Sequence, residues 1–204
     1  MSLTAQQHEQ RALGIGGSDI ATILGLNPYK TRYELWLEKT GQLQPTAANE
    51  DQIDQGHILE GPIAELYVRR KQREGVEVRL RKRKQTIVHK DYPWLRANID
   101  REIVGQRKGL EIKKVNWRSG FDWGEDGDIH GVPESYQPQV YHYLTVLGYE
   151  EWDLAAYIGG SELKVFEFEA DEEWSQIIIE AAGDFWENHV LPEVAPEMEY
   201  NHRS

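Results

Sequence analysis

The sequence predicts an α/β fold, with strands in the middle of the chain and helices at both ends packed into an α+β sandwich. Three observations carry this. Period-two alternation of apolar and polar residues fills the stretch from 76 to 115 and recurs over 154–168. Apolar residues recur at helical spacing before and after it, bounded by cap and stop signals. Finally, 204 residues, 39% of them hydrophobic with ten tyrosines and seven tryptophans, suffice for one core without disulfides or a structural metal, so 1–204 reads as a single domain.

In chain order, Thr31-Arg32-Tyr33-Glu34 is a capping box, in which a Thr hydroxyl and the Glu three residues on satisfy each other's backbone N–H groups. It opens a short helix carrying Leu35, Trp36 and Leu37, which Gly41 stops. Residues 42–54, polar and containing Pro45, read as a surface loop. A second helix is expected over 60–73, with Ile63, Leu66, Tyr67 and Arg70 at helical spacing and Pro62 in the first turn, where a missing N–H costs nothing. Strands are expected over 76–80, 86–89, 95–104 and 110–115, the last two joined by the loop Gly105-Gln106-Arg107-Lys108-Gly109. A helix over 135–147 places Tyr136, Val140, Tyr143, Leu144 and Leu147 on one face. Strands over 154–158 and 163–168 flank a Gly159-Gly160 turn. The last helix, entered at Asp171, buries Trp174, Ile177, Ile178, Ala181 and Phe185 and ends before Pro192.

Composition excludes several classes of function. With no cysteine, disulfides, thiolate catalysis, cysteine zinc sites and iron–sulfur clusters are ruled out. No apolar run approaches the ~20 residues of a membrane span, and the opening MSLTAQQHEQR lacks the basic and apolar regions of a secretory signal. A soluble protein compatible with a reducing cytoplasm is expected. His57, His89, His130 and His142 have no zinc-site spacing and read as surface or satisfied core histidines. The formal charge of -12 argues against binding a polyanion. That average conceals segregation, because RRKQREGVEVRLRKRK over 69–84 concentrates cations while the chain after Glu150 is acidic. By itself the basic run is equally a solvated face, a disordered strip or a DNA contact.

The chemistry lies in the central strands. Alternation puts Asn98, Asp100 and Glu102 on one face of the first strand and Glu111 and Lys113 on one face of the next. If the hairpin pairs so that these faces coincide, two carboxylates and an ammonium converge beside an apolar core. Such a set suits Mg²⁺, a hard ion that takes a few oxygen ligands and keeps several waters. The metal would generate hydroxide and neutralise phosphoryl charge, and Lys113 would orient the water or stabilise the pentacoordinate state. The bland alternative is a solvated sheet face with weak ion pairs. Upstream, Gly14, Gly16 and Gly17 permit close backbone approach, and Ser18 at a helix start is either an ordinary cap or part of an anion pocket that Arg11 could close. Trp94, Trp117 and Trp123 read as core or hinge aromatics, with base stacking as the alternative for Trp117 beside Lys113, Lys114 and Arg118.

Several blocks occur in order: GIGGSDIATILGLNPYKTRYELWLEKTG over 14–41, GHILEGPIAELY over 56–67, Asp100, Glu111-Ile112-Lys113, and residues 136–148. Together they resemble the YqaJ-like viral recombinase family, which includes the phage lambda type alkaline exonuclease, within the PD-(D/E)xK nuclease superfamily. The resemblance covers about 11–168. It implies a restriction-endonuclease-like core with a central mixed sheet, and a Mg²⁺-dependent 5′-to-3′ exonuclease, with Mn²⁺ able to substitute. The substrate would be linear double-stranded DNA, cut to mononucleotides to leave 3′ overhangs. It further implies a homotrimeric ring, a single-strand annealing protein as partner, and a phage or prophage protein acting in a bacterial cytoplasm.

Residue roles follow from the same resemblance. Asp100 and Glu111 would ligate metal with the Ile112 carbonyl, Lys113 would be the catalytic lysine, and Glu60 an acid near a second metal. Arg11 and Ser18 match a 5′-phosphate pocket, with Asn98 standing where the family often has Ser. Gln139 matches a glutamine on the helix beside the active site, while Tyr141 replaces a second one. Lys114, Arg118, Arg81 and Arg83 would contact DNA. Two other readings remain open: an endonuclease of restriction or repair type, and a catalytically silent DNA-binding module, against which the intact Asp100, Glu111 and Lys113 count.

Overall fold

A computed structural model describes residues 13–43 and 50–198 of the chain. In order, the helices are α1 (Gly17–Ile23), α2 (Arg32–Lys39), α3 (Glu50–Arg73), α4 (Gln137–Leu147) and α5 (Glu172–Phe185). The strands are β1 (Leu80–Arg81), β2 (Ile87–Val88), β3 (Arg96–Ala97), β4 (Arg101–Ile103), β5 (Lys108–Val115), β6 (Glu151–Ile158) and β7 (Glu162–Glu169). Among the described residues, the main sheet runs β1-β4-β5-β6-β7 and is mixed: β5 and β6 are parallel, and the other pairs antiparallel. Helix α4 supplies the crossover that a parallel pair requires. The central mixed sheet flanked by helices is the predicted fold class.

Local chemistry explains the elements that match. Thr31 Oγ1 accepts the Glu34 N–H at 3.2 Å and Glu34 Oε2 accepts the Thr31 N–H at 2.8 Å, completing the capping box of α2. Gly41 then takes φ 72°, the left-handed conformation that ends a helix. Asp171 Oδ1 caps α5 through the Trp174 N–H at 2.9 Å.

The sheet is covered on both faces. On one, Ile63, Ala64 and Tyr67 of α3 pack on Ile103, Leu110, Ile112, Ala155 and Val165. On the other, α1, α4 and α5 bury Ile20, Val140, Leu144, Ile178 and Phe185 with Trp152, Leu154, Phe166 and Phe168. Strand β5 therefore turns Leu110 and Ile112 toward α3, and Glu111 and Lys113, with Val115, toward α4.

Several expected boundaries are corrected. The helix expected over 60–73 begins at Glu50, so residues 50–54 are helical rather than loop, and Pro62 is interior. Proline there denies a hydrogen bond to the carbonyl of Ile58. Ile58 is exposed, where water can serve that carbonyl. The strand expected over 76–80 shrinks to β1. The one expected over 95–104 breaks near Asp100 into β3, paired with β2 in a separate two-stranded sheet, and β4 in the main sheet. Ile177 on α5 is 39% exposed rather than buried.

Candidate active site

The break before β4 and the register of β5 build the site. Arg101 pairs with Leu110 and Glu102 with Gly109, so one further step sets Asp100 against Glu111. Asp100 Oδ2 accepts the Ile112 N–H at 2.8 Å, tying the bend to the neighbouring strand. Glu111 and Lys113, two residues apart, share the face turned to α4. Lys113 Nζ lies 2.7 Å from Glu111 Oε1 and donates to Gln139 Oε1 at 2.8 Å. Gln139 in turn donates through Nε2 to Glu111 Oε1 at 2.9 Å and to the Tyr143 hydroxyl at 2.6 Å. The Lys113 ammonium stands 5.5 Å from the centroid of the Tyr136 ring, within cation–π range.

Burial, followed by the neighbouring Glu111 charge, pushes the Asp100 carboxyl well above its ordinary value. For Lys113, burial alone would favour the neutral amine, but Glu111 and Asp100 outweigh it and hold the ammonium above its usual range. Glu111 is only 3% exposed, and its Oε2 is buried without a hydrogen-bond partner. An orphaned carboxylate oxygen facing a second carboxylate under charge strain is what a divalent cation would relieve. The donor set thus fits such an ion, with Asp100, Glu111 and the adjacent Ile112 backbone as its holders. Among the described residues, no three acidic or histidine side chains are grouped to enclose one, and an ion retaining several waters needs no such cage.

Other predicted residues are placed differently. Glu60 stands near enough to Asp100 for its charge to add to the raised pKa of that carboxyl, after the larger effects of burial and Glu111. It is ion-paired to Arg101 and, at 2.9 Å, to Lys82. Burial raises its pKa, but these two cations overcome that and lower it on balance. Ser18 is not the cap of α1: Asp19 Oδ2 takes the Gly16 N–H at 2.9 Å, leaving Ser18 exposed in the first turn. That turn abuts the site, because a Cβ on Gly17 would stand 2.8 Å from a Tyr143 ring carbon and 3.1 Å from Gln139 Cγ. Asn98 is exposed, with its Oδ1 accepting from the Thr86 hydroxyl at 2.9 Å, outside the hydrogen-bonded cluster. Arg11 lies outside the described residues.

Of the cations assigned to DNA, Lys114 is exposed and donates to Gln55 at 2.9 Å, and Arg118 is exposed. Arg81 and Arg83 both converge on Glu102, at 2.9 and 3.2 Å. Trp123 is buried as expected of a core aromatic, whereas Trp117 is 65% exposed and belongs to no core. Tyr136 and Tyr143 were legible only as an apolar helix face. Their spacing from Gln139, three residues before and four after, was the signal that they support the same site.

Comparison with known proteins agrees with this geometry. Residues 6–150 match the model of the YqaJ-like viral recombinase domain. The chain is 40% identical over 192 residues to "Uncharacterized protein YqaJ" of Bacillus subtilis (strain 168), covering 93% of this chain and 57% of that protein. The chain therefore spans a little over half the length of this relative. Its fold is similar to the crystal structure of an alkaline exonuclease (LHK-Exo) from Laribacter hongkongensis, with a TM-score of 0.72, 17% identity and 94% coverage of both chains. That enzyme has also been solved in complex with dAMP. A phage related exonuclease from Haemophilus somnus 129PT aligns with a TM-score of 0.60 at 11% identity, over 91% of this chain and 99% of the other.

Proposed function

The chain belongs to the YqaJ-like viral recombinase family, and from that premise we propose that it is a metal-dependent exonuclease degrading one strand of linear double-stranded DNA from the 5′ end. Products would be mononucleotides and a 3′ overhang for an annealing partner. The observation that carries this reading is the hydrogen-bonded set Asp100, Glu111, Lys113 and Gln139, gathered on the central strand of the sheet, the bend beside it and the helix above it. A Mg²⁺ or Mn²⁺ ion held by Asp100, Glu111 and the Ile112 carbonyl would supply Lewis acidity and an activated water. Glu60, held at Oε1 by Arg101 and Lys82, would be the acid near a second metal.

The side chains have separable tasks. Lys113, kept charged by its carboxylate neighbours, places an ammonium where negative charge grows on the phosphoryl oxygens. Gln139 holds Lys113 and Glu111 in register, accepting from one and donating to the other. Arg11, Ser18 and the exposed first turn of α1 would receive the terminal 5′-phosphate, and the contact of Gly17 with Gln139 sets that turn beside the cleavage site. Asn98, exposed and accepting from the Thr86 hydroxyl, would offer that pocket its amide N–H groups. Lys114, Arg118, Arg81 and Arg83 would hold the backbone, the last two by giving up Glu102.

Digestion of linear duplexes labelled at either end, with a 5′-phosphate or a 5′-hydroxyl, tests the reading. Phosphorylated ends should be degraded faster, since each charge-assisted bond contributes roughly 1.5–3 kcal/mol, and chelator should stop the reaction. Equal rates on both ends with internal cuts would favour the endonuclease reading, and full activity in chelator would remove the metal.

A further inference from the structure

Strand β5 runs out at Val115 into a turn that carries two large aromatic rings into solvent. Trp117 is 65% exposed and Phe121 74% exposed. Their ring centroids lie 4.8 Å apart with planes at 68°, edge to face. Exposed aromatic surface of this size is costly to keep wet and marks a place where something binds.

The turn is a fixed mount. Buried Val115 anchors one end and buried Trp123 the other. Asn116 Oδ1 accepts the Ser119 N–H at 2.9 Å, and its carbonyl accepts the Gly120 N–H at 3.1 Å. A Cβ on Gly120 would fall 2.3 Å from Ile158 Cγ2, and one on Gly159 would fall 3.3 Å from Trp117 Cβ, so the turn is seated against the β6–β7 connection. Rings on such a mount lose little freedom when they bind.

The location ties the pair to the cleavage site. Trp117 follows Lys113 by four residues, and because β5 ends at Val115 and the chain then turns, their backbones lie less than the ~13 Å of a fully extended stretch apart, within a few nucleotides of a DNA strand. The Tyr136 ring beneath the Lys113 ammonium lies 5.2 Å from Trp123, the residue that closes the turn. Exposed Lys114 and Arg118 flank the rings. The turn around the rings is polar, with Asn116, Ser119 and Asp122. Flat rings with interspersed cations suit a stack of unpaired bases whose phosphates meet the cations.

We infer that Trp117 and Phe121 form a stacking platform for unpaired nucleobases at the DNA end, next to the site of cleavage. The inference rests on the nuclease reading and deepens it. It adds the part that grips a separated strand through its bases, where Lys113 and the carboxylates deal only with the scissile phosphate.

The test is a double-mutant cycle between protein and DNA. Splayed-end duplexes carrying an abasic nucleotide at each of the first few positions of either strand are titrated, in chelator, against the wild type, Trp117→Leu, Phe121→Leu and the double variant. Wild type should bind about tenfold more weakly when a stacked base is missing. The Leu variants should already show that loss on the intact DNA and lose no more on the abasic one. Trp117→Phe should recover most of the affinity, and unfolding midpoints should not change, because both side chains are exposed.

Parallel digestion of the fully paired duplex separates the two ideas. Digestion without coupling at any position overturns the platform and leaves the nuclease standing. Coupling without digestion retains the platform and overturns the nuclease, and absence of DNA binding overturns both.

Discussion

At the scale of single residues, the site works through one amide. Gln139 accepts from Lys113 and donates to Glu111, so neither charged group can turn away without breaking a bond to it. Lys113→Ala and Asp100→Ala should each abolish hydrolysis while leaving DNA affinity in chelator largely intact, because they serve the transition state more than docking. Gln139→Leu should lower kcat by about 100-fold with a smaller change in KM, the scale expected when a reacting group is misplaced by an ångström. Wild-type turnover in any of the three would overturn the assignment.

A thermal measurement reads the metal site without activity. The raised pKa of Asp100 means that its charged form is disfavoured in the fold. The metal-free protein therefore loses stability as pH rises from the ordinary carboxylate range toward that raised value. Asp100→Asn keeps an acceptor for the Ile112 N–H and removes the charge, so at neutral pH it should raise the metal-free midpoint. Each ~1 kcal/mol relieved is worth about 2–4 °C at this size. Mg²⁺ or Mn²⁺ should raise the wild-type midpoint and leave the variant unmoved. Equal metal shifts in both proteins would place the ion elsewhere.

At the scale of elements, α4 is the member to which the site is pinned, and a buried histidine helps pin it. His142 is fully buried, its Nε2–H donating to the Arg96 carbonyl at 2.8 Å across to β3. Burial lowers its pKa from 6.5 to about 4. The unfolded chain thus takes up the proton first as pH falls, and the stability present above pH 6.5 is lost down to about pH 4, by about 3 kcal/mol. Urea unfolding across that window should show the slope in wild type and a flatter one in His142→Gln, which keeps a donor and cannot titrate. Equal slopes would place the titration elsewhere.

What the sequence disclosed about these elements follows the range of the forces. The capping box of α2 and the Glu111-x-Lys113 face of β5 depend on neighbours in the chain, and both were readable. The start of α3 was not, since residues 54–58 lie exposed or half-buried and carry no apolar stripe, and Pro62 masked the helix's continuity. Nor was the break at Asp100, although three consecutive polar residues, Asp100-Arg101-Glu102, interrupt the alternation of 95–99 where the backbone changes sheets. The capture of Glu60 by Arg101 and Lys82, and of Arg81 and Arg83 by Glu102, joins residues about 20 to 40 apart in sequence, a distance that periodicity does not report.

For the whole molecule, charge sets the problem of holding DNA at all. A net charge of -12 repels a polyanion. Part of the basic run that could oppose this is already committed, with Arg81 and Arg83 on Glu102 and Lys82 on Glu60. Few phosphate contacts give a weak affinity with a shallow salt dependence, which cannot alone keep an exonuclease on its substrate through many cycles. A closed ring, which the family resemblance implies and which we propose for this chain, would resolve this, because enclosure prevents escape without demanding tight contacts. The proposed trimer should therefore appear as three chains by mass at micromolar concentration. Initiation should weaken with salt only as far as those few contacts carry it, with a log–log slope of about -0.9 per phosphate neutralised. Once digestion has begun, excess competitor DNA or a jump in salt should not release the enzyme, and covalently closed circles should be spared for want of an end to thread. A monomeric mass, or digestion that halts as soon as competitor is added, would show that contacts rather than enclosure hold the DNA, and the salt dependence of elongation would then match that of initiation.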